Sequence, residues 1–511
     1  MRITNKMMTN NVLYNINSNK NSLSRLEERY STGLKIQRPS DDPIVATRAL
    51  KLRTNLTELN QFYEKNIPDT LAWMDLTESA MKEANDIITK IHTYCVNGST
   101  DTLTENDRNS IVATLKQFKD QIFQEGNTNY AGRYVFSGYK TDTSLVFDNV
   151  TTNRNYSITE KLSGSNIDIV QTTLNSVSLS VYDPEDPTSL DITEKPNYVS
   201  AYRLRLAYND IKTEEEDGSI NINFPVRDDE GNIQYDGDGN MELEEYNGDI
   251  NRISSKDANA YVPDPDGINI LEDTGEIIMG ENVYKEWKEY GEIQVTYEKD
   301  SFLKNDLRPE HYFDCTVTDK EDEDAEPITY TKEDQKIQYE VNFNQTMTIN
   351  TQGSEVFTHD IARVIDDIIT SVNDVLETDH KINEVKKMLE DTSITPEQNK
   401  ALNEMLNVLI TEKTLKDEVL QNTFGRALTE VTNQQNAMNV AIADLGSRYA
   451  RVELTESRLA NEQGDFEDLL SKNEDADIVD TVIKLKSQET IYNASLSAAA
   501  KVVKNSLLDF I

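Results

Sequence analysis

The sequence predicts an α+β fold: an elongated helical bundle or coiled coil built from both chain ends, carrying an inserted β-rich outer domain or domains. Both ends repeat apolar residues at steps of three and four, the period of one helix face. The stretch between them holds ten of the 19 Gly and eight of the 12 Pro, which is typical of turns. It also contains short alternating apolar and polar runs, which indicate strands.

We expect the 511 residues to form five parts. These are an N-terminal coiled-coil segment and loop at 1–42, the first half of a helical rod at 43–145, an acidic β-rich insert at 146–352, the second half of the rod at 353–470 with an extra helical hairpin at about 380–414, and a C-terminal coiled-coil helix at 471–511.

The charge balance is strongly acidic, with 51 Lys and Arg against 92 Asp and Glu and a formal net charge of −41. Residues 213–345 carry 37 acidic and 11 basic residues, which accounts for 26 of the 41 excess negative charges. Nucleic acids and anionic membranes are bound by basic surfaces. We therefore expect neither nucleic acid nor a membrane as a partner.

The C-terminal stretch contains an apolar stripe without Gly or Pro. Its members are Ile478, Val482, Leu485, Tyr492, Leu496, Ala499, Val503 and Phe510. Glu489 and Ser506 interrupt the series. A helix of this length would extend for roughly 50 Å. Because an isolated amphipathic helix is marginal in water, the stripe requires a partner, either in its own domain or elsewhere.

The N-terminal stretch has a matching, weaker stripe at Val12, Ile16, Leu23, Leu26 and Tyr30. Asn19 breaks it, and the many Asn residues lower helix propensity. We predict that the two end helices pair with each other and with copies in neighbouring subunits. We also expect both ends to be poorly ordered before assembly and to fold when the copies associate.

Local signals predict where the N-terminal helices begin and end. Gly33 should end the first helix. Asp42 before Pro43 reads as an N-cap with Pro at the first helical position. Pro68 should kink or restart the helix that follows, which should stop at Asn97-Gly98. A further helix should run from its cap at Thr104 to Gly126.

The loop between the first two helices carries four charged side chains, Arg38, Asp41, Asp42 and Arg48. We predict that they make polar contacts between subunits or brace the bend. Substituting them should then impair assembly more than it lowers the melting temperature. The alternative is a solvated loop whose carboxylates only cap helices.

Four dipeptides are hairpin-turn candidates in the middle: Asp217-Gly218, Glu230-Gly231, Asp238-Gly239 and Asp266-Gly267. One or two antiparallel β-rich domains, closing near Ile349, are expected there. The helical pattern returns at Val356, and Thr395-Pro396-Glu397 should start the second arm of the extra hairpin. A separate long helix is predicted from Lys416 to Leu470.

No pattern of catalytic, cofactor-binding or metal-ligating residues stands out. The four His residues form no His-Glu-x-x-His motif, and the two Cys residues form no disulfide framework. Residues 236–242 alternate oxygen ligands but lack the Gly and Glu of a calcium loop, so an Asp-Gly turn is preferred. A glycosidase-like insert remains an enzyme-class alternative. The first residues lack the apolar core of a signal peptide, and no apolar run reaches the roughly 18 residues of a membrane span.

Four segments occur in an order that resembles the bacterial flagellin superfamily. They are Met1-Arg2-Ile3-Thr4, the loop at 38–43, the run at 103–108 and the segment at 132–141. The last segment is the more specific marker of the hook–filament junction proteins within that superfamily. Its marker residues are Gly132, Arg133, Tyr134, Phe136, Gly138 and Tyr139. The resemblance covers about 1–150 and 355–511.

The resemblance implies a non-enzymatic structural role outside the cell. The expected location is the hook–filament junction, and the expected partners are hook-associated protein 1, flagellin and a ring of further copies. It also implies export through the flagellar type III apparatus and an export chaperone that holds the C-terminal helix. Filament flagellin is the alternative within the superfamily. The residues expected at the assembly interface are the two apolar stripes and the charged loop.

Overall fold

A computed structural model describes residues 5–100, 103–187, 190, 192, 194–212, 220–227, 233–235, 241–322, 325–391 and 393–508. The chain divides into two compact units. The terminal unit comprises Met1–Leu71, Tyr339–Met347 and Ala450–Ile511, and the central unit comprises Ala72–Gln338 and Thr348–Tyr449. Among the described residues, no helix is both long enough and apolar enough to cross a membrane.

The helices lie mainly towards the two chain ends. They are α1 (Asn5–Thr32), α2 (Pro43–Gln61), α3 (Ile67–Gly98), α4 (Glu105–Glu125), α5 (Glu281–Trp287), α6 (Gly353–Val356), α7 (His359–Glu390), α8 (Pro396–Glu474) and α9 (Ile478–Leu508). A π-helical turn, Phe62–Asn66, joins α2 to α3.

Local sequence signals act at the predicted helix ends. The Asp42 carboxylate accepts hydrogen bonds from the backbone N–H groups of Ile44 and Val45 and so caps α2. Thr104 and Asp107 form a capping box at the start of α4. α1 ends at Thr32, and Gly33 follows with φ of 74°, a backbone conformation that glycine adopts at little cost.

The irregularity expected at Pro68 lies earlier in the chain, where the helix forms the π-helical turn Phe62–Asn66. Pro68 has no N–H to donate to the carbonyl of Glu64, and its ring crowds that carbonyl. The π-helical turn just before the proline is wider than an α-helical turn, so it accommodates both the missing hydrogen bond and the crowding at the carbonyl.

The prediction that a separate long helix begins at Lys416 is wrong. α8 is one helix of 79 residues, Pro396–Glu474, so the second arm of the extra hairpin and the long helix are continuous. The reason is local, because Pro396 is the only proline of this stretch and stands at the first helical position. Gly425, Gly446 and Gly464 lie inside the helix, where neighbouring turns keep them helical.

The strands form two larger sheets and two short hairpins. The strands are β1 (Asn129–Tyr130), β2 (Arg133–Tyr134), β3 (Arg154–Leu162), β4 (Asp168–Leu174), β5 (Asn197–Arg205), β6 (Asn221–Pro225), β7 (Leu243–Glu245), β8 (Ile250–Ile253), β9 (Ile268–Leu271), β10 (Glu276–Met279), β11 (Ile293–Lys299), β12 (Asp314–Asp319), β13 (Ile328–Tyr330), β14 (Gln338–Asn342) and β15 (Gln345–Thr348). Within the described residues the strand orders are β4-β5-β10-β9-β8 and β13-β12-β3-β11-β6-β7, with β1-β2 and β14-β15 as hairpins.

One apolar core lies between the two larger sheets. Ile158, Val295 and Tyr297 from one sheet pack in the same cluster as Leu204 and Ile277 from the other. These side chains are almost fully buried. The alternation of apolar and polar residues therefore produces a two-layer β structure, as expected where each sheet has one buried face.

The turn at Asp266-Gly267 is not the hairpin turn that the sequence predicts. The strands before and after it, β8 and β9, pair in parallel, so the connection between them has to run the length of the strand. The hairpin lies instead between β9 and β10, where Gly275 has φ of 66°. The other three candidates, at 217–218, 230–231 and 238–239, lie outside the described residues, as does most of the 236–242 segment.

The two cysteines, Cys95 and Cys315, are unpaired thiols buried in the central unit. Burial raises the pKa of each thiol to about 12. The reactive thiolate is therefore scarce near neutral pH. We expect no reaction with a thiol-specific disulfide reagent at pH 8 in the folded protein and two equivalents after unfolding in guanidinium. Rapid labelling of the folded chain would contradict this.

Candidate assembly interface

The two end helices, α1 and α9, pack against each other in the terminal unit. They run antiparallel, because Asn19 contacts Ser495 whereas Leu34, later in the chain, pairs with the earlier residue Asp475. Four of the five predicted stripe residues of α1 are half-buried in this contact, namely Val12, Ile16, Leu23 and Leu26, whereas Tyr30 is 52% exposed. From α9, Val482, Leu485 and Tyr492 are half-buried in the same way.

The contact between α1 and α9 contains a polar layer that the sequence pattern does not reveal. Asn19 donates its Nδ2 to Ser495 Oγ at 2.8 Å, and Gln488 donates its Nε2 to the Asn19 carbonyl at 3.4 Å. Asn19 therefore lies in the α1 seam and does not break it. A polar side chain at one seam position fixes the register of paired helices at some cost in stability.

The seam of α9 differs by one position from the predicted stripe. It passes through Gln488 and Ser495, and Leu496 is exposed. Steps of three and four from Leu485 lead to positions 488, 492, 495 and 499, and so predict Gln488 and Ser495 as seam residues. The predicted stripe includes Leu496 instead of Ser495 because it was chosen by hydrophobicity. Val503 has no described side chain, and Phe510 lies outside the described residues.

An apolar stripe on the side of α9 away from the seam remains exposed after α1 has packed. It consists of Val479, Ile483 and Ile491, which follow one another at steps of four and eight and are 71%, 63% and 45% exposed. Ile478 and Leu496 are also exposed but lie near the seam. Full burial of one such side chain stabilises by roughly 1.5–3 kcal/mol. The stripe is thus an unpartnered apolar surface of the kind that a further helix could cover.

Two bends of the chain meet beside the helix pair. The bend after α1 and the bend between α8 and α9 are joined by a short antiparallel bridge between Leu34 and Asp475. Lys35 donates its backbone N–H to the Glu474 carbonyl at 2.7 Å, and Ala476 donates to the Gly33 carbonyl at 2.7 Å. Both ends of the chain therefore turn at one place, and each bend satisfies the backbone of the other.

A side-chain contact ties this double bend to α2. Arg53 Nη2 lies 2.6 Å from Glu474 Oε2, and the Glu474 side chain is only 11% exposed. Asn473 donates its Nδ2 to the Val45 carbonyl at 3.1 Å. The pair of helices α1 and α9 is thereby connected to the pair α2 and α8 by hydrogen bonds on both chain segments.

The four charged loop residues take different places. Asp41 accepts hydrogen bonds from the backbone N–H groups of Arg38 and Gln37, and these bonds lower the pKa of its carboxyl group. Asp42 caps α2, as described above. The side chains of Arg38 and Arg48 are exposed. The two carboxylates therefore make the local capping bonds of the alternative interpretation, and contacts of the four charged residues with other subunits remain a prediction.

The marker segment at 132–139 forms a corner of the central unit. Ala131 and Gly132, with φ of 50° and 86°, make the turn between β1 and β2. Phe136 is buried edge-on against Phe357, with ring centroids 5.0 Å apart. A Cβ at Gly138, where φ is 62°, would lie 2.2 Å from Gln335 Oε1, which accepts the Tyr139 backbone N–H. The segment is thus structural and belongs to a different unit from the helix pair.

Residues 3–141 match the family described as the bacterial flagellin N-terminal helical region. The chain is 32% identical over 152 residues to flagellar hook-associated protein 3 of Salmonella typhimurium, a match that covers 30% of this chain and 47% of that protein. It is 34% identical over 128 residues to a flagellin of Clostridium tyrobutyricum, covering 25% of this chain and 34% of the flagellin. The chain thus spans less than half the length of these relatives.

A solved structure of FlgL from Xanthomonas campestris aligns with 83% of this chain and 99% of its own, at 13% identity and a TM-score of 0.31. The family match at residues 3–141 spans α1 to α4, the bend after α1 and the marker segment. Residues 3–141 are thus similar to the N-terminal helical region of flagellins, and the chain is similar to flagellins and to flagellar hook-associated protein 3, which are structural proteins.

Proposed function

We propose that this protein is a structural component of the bacterial flagellum. In this role it forms the junction between hook-associated protein 1 and the flagellin filament, as a ring of copies held together by their terminal helices. The observation that carries the proposal is the apolar stripe on α9, which stays exposed although α1 already covers the opposite side of that helix. An exported subunit that must join neighbours requires such a surface.

Export follows from the same role. A subunit that leaves the cell through the flagellar type III channel travels unfolded, and helix ends that fold late suit that route. The exposed α9 stripe would also suit an export chaperone, which would cover it before export. The charge of −41 fits an outer surface that contacts neither nucleic acid nor membrane.

Filament flagellin is the second candidate, because a flagellin and hook-associated protein 3 match this chain over similar lengths, 128 and 152 residues, and at similar identities, 34% and 32%. The two functions differ in copy number and position. A junction protein occupies one ring, whereas a flagellin extends along the whole filament.

Thiol labelling on intact cells separates the two. Glu384 is exposed, and the native thiols are buried, so a Glu384→Cys variant should take a fluorescent maleimide at that position alone. We expect one spot per flagellum, between hook and filament. Label along the filament would favour flagellin, and absence of label from all flagella would refute both functions. The unmutated protein is the control for background.

A further inference from the structure

An apolar groove with an acidic rim lies in the terminal unit between α2, the β14-β15 hairpin and α8. Its volume is about 770 Å³. Its apolar lining residues are Phe343, Phe466 and Leu469, and its acidic lining residues are Glu58, Glu462 and Asp465. We call these six residues the acidic groove.

The groove is already built within one subunit. Phe343 stands at the tip of the hairpin, and its ring packs edge-on against Phe62 with centroids 5.2 Å apart. Asn66 donates its Nδ2 to the Glu340 carbonyl at 2.8 Å and so fixes the hairpin against the start of α3. Phe343 and Leu469 nevertheless remain 42% and 51% exposed. The groove therefore offers apolar surface that is not used inside the subunit.

A surface of opposite character lies on the same helix, α8. Leu454 is 72% exposed, the side chain of Arg458 is 53% exposed, and Arg451 is exposed one turn before the leucine. Spacings of three and four place these residues on one helix face. We call them the basic knob. It is an apolar side chain between two guanidinium groups, on a chain with a net charge of −41.

The knob cannot enter the groove of its own subunit. Leu454 and Leu469 are 15 residues apart in one helix, which separates them by roughly 22 Å. Arg458 does approach Glu462, but at 3.7 Å and with both side chains largely exposed. Arg458 also donates its Nη2 to Gln345 Oε1 at 3.3 Å, and this hydrogen bond is exposed too. Exposed contacts of both kinds contribute little, so Arg458 can exchange them for a partner on another molecule. The knob and the groove are thus complementary in charge and apolarity but must come from different molecules.

We propose that the acidic groove of one copy binds the basic knob of a second copy. This inference rests on the proposed function, since it specifies a contact through which copies would associate in addition to the α9 stripe. The contact joins two different patches, so a pair held by one contact still presents one free knob and one free groove. Repeated head-to-tail contacts of this kind generate rings or filaments.

Cross-linking tests the contact directly, because both native thiols are buried. One population carries Leu454→Cys and the other Leu469→Cys, and they are mixed at high concentration with a short bis-maleimide. We expect a covalent dimer in the mixture and at least tenfold less in either population alone. Glu453→Cys, exposed on a different side of α8, is the matched control. Equal yields from Leu454→Cys and Glu453→Cys, or no dimer at all, would overturn the contact.

Charge reversal provides a second, independent test. One variant, Arg451→Glu with Arg458→Glu, makes the knob acidic, and another, Glu462→Lys with Asp465→Lys, makes the groove basic. For each variant alone, we expect the fraction of protein that sediments as an assembly to be at least tenfold lower than for the unmutated chain, because knob and groove then carry charges of the same sign. Mixed one to one, the two variants match again and should recover association. A mixture that stays unassembled while both variants are folded would reject the proposal.

The two tests also separate this contact from the proposed function. If the labelled protein were absent from the flagellum and the cross-link still formed, the contact would stand and the junction role would fall. If the protein occupied the junction and the cross-link were absent, the junction role would stand and this contact would fall.

Discussion

Removing residues 478–511 is expected to abolish assembly while leaving the central unit folded. The deletion takes away the exposed α9 stripe and also the partner of α1. Val482, Leu485 and Tyr492 are half-buried against α1, and at roughly 1 kcal/mol each their loss would weaken any association through the helix pair by about 100-fold. Sedimentation of the assembled protein and far-UV circular dichroism would measure the two effects.

Two point variants separate the two roles of α9. Leu485→Asp places a charge in the seam and should loosen α1 from α9. Ile483→Asp places a charge in the exposed stripe, where Ile483 is 63% exposed, and should impair assembly without changing helix content. Normal incorporation of the truncated protein into flagella would contradict the assembly role of α9.

Hydrogen exchange tests whether the ends fold on assembly. In dilute solution we expect the amides of α1 and α9 to exchange much faster than those of the central unit, because a helix pair with a polar layer is only marginally stable. The assembled protein should protect the same amides. If both ends were fully protected in isolated molecules, the proposed mechanism of folding on assembly would be wrong.

Replacing Arg203 by Met is expected to destabilise the central unit by about 3–5 kcal/mol, the range for removing one partner of a buried ion pair. The Arg203 guanidinium, 7% exposed, lies 2.6 Å from Glu276, 2.7 Å from Asp168 and 3.0 Å from Asp367. These carboxylates belong to β10, β4 and α7. The variant would leave the Glu276 side chain, 4% exposed, without its close cation.

Guanidinium unfolding followed by tryptophan fluorescence measures this change, because Trp73 and Trp287 are both buried in the central unit. Lys285→Met is the matched control. It removes an equally cationic side chain whose pair with Glu281 is exposed, and it should change stability by no measurable amount. A similar midpoint for both variants would show that the Arg203 cluster does not hold the sheet to α7.

The same cluster predicts how stability depends on pH. Burial by itself would raise the pKa of Asp367, but Arg205 and Arg203 lower it to about 2 from an ordinary value of 3.8. A carboxyl group with a lowered pKa stabilises the folded state above its unfolded pKa, and the contribution is lost as the pH falls from about 4 to about 2. The Arg203→Met variant should lose less stability over this interval than the unmutated protein.

Nearest-neighbour chemistry made several features predictable from the sequence. Asp42 and Thr104 cap their helices, and Gly33 ends α1, because these effects involve only residues a few positions apart. The family resemblance, read from four short segments, is confirmed by the match over residues 3–141. The α+β fold class is confirmed as well. It could be predicted because apolar residues recur with a period of about 3.6 in helices and 2 in strands.

Short-range sequence signals could not predict which distant segment packs against each helix or strand. Asn19 and Ser495 are separated by 476 positions, and each alone looks like an interruption of an apolar stripe. Only the packing of α1 on α9 makes them a seam layer. The parallel pairing of β8 with β9 likewise depends on neighbouring strands and not on the turn before β9.

The class of fold, the caps at Asp42 and Thr104 and the resemblance to flagellins could be predicted from the amino-acid sequence, because they depend on residues close together in the chain. The packing of the chain sets which side of α9 is covered, which carboxylates surround Arg203 and which segments form the acidic groove. These depend on contacts between segments far apart in the chain, and a contact free energy exists only once both segments are in place.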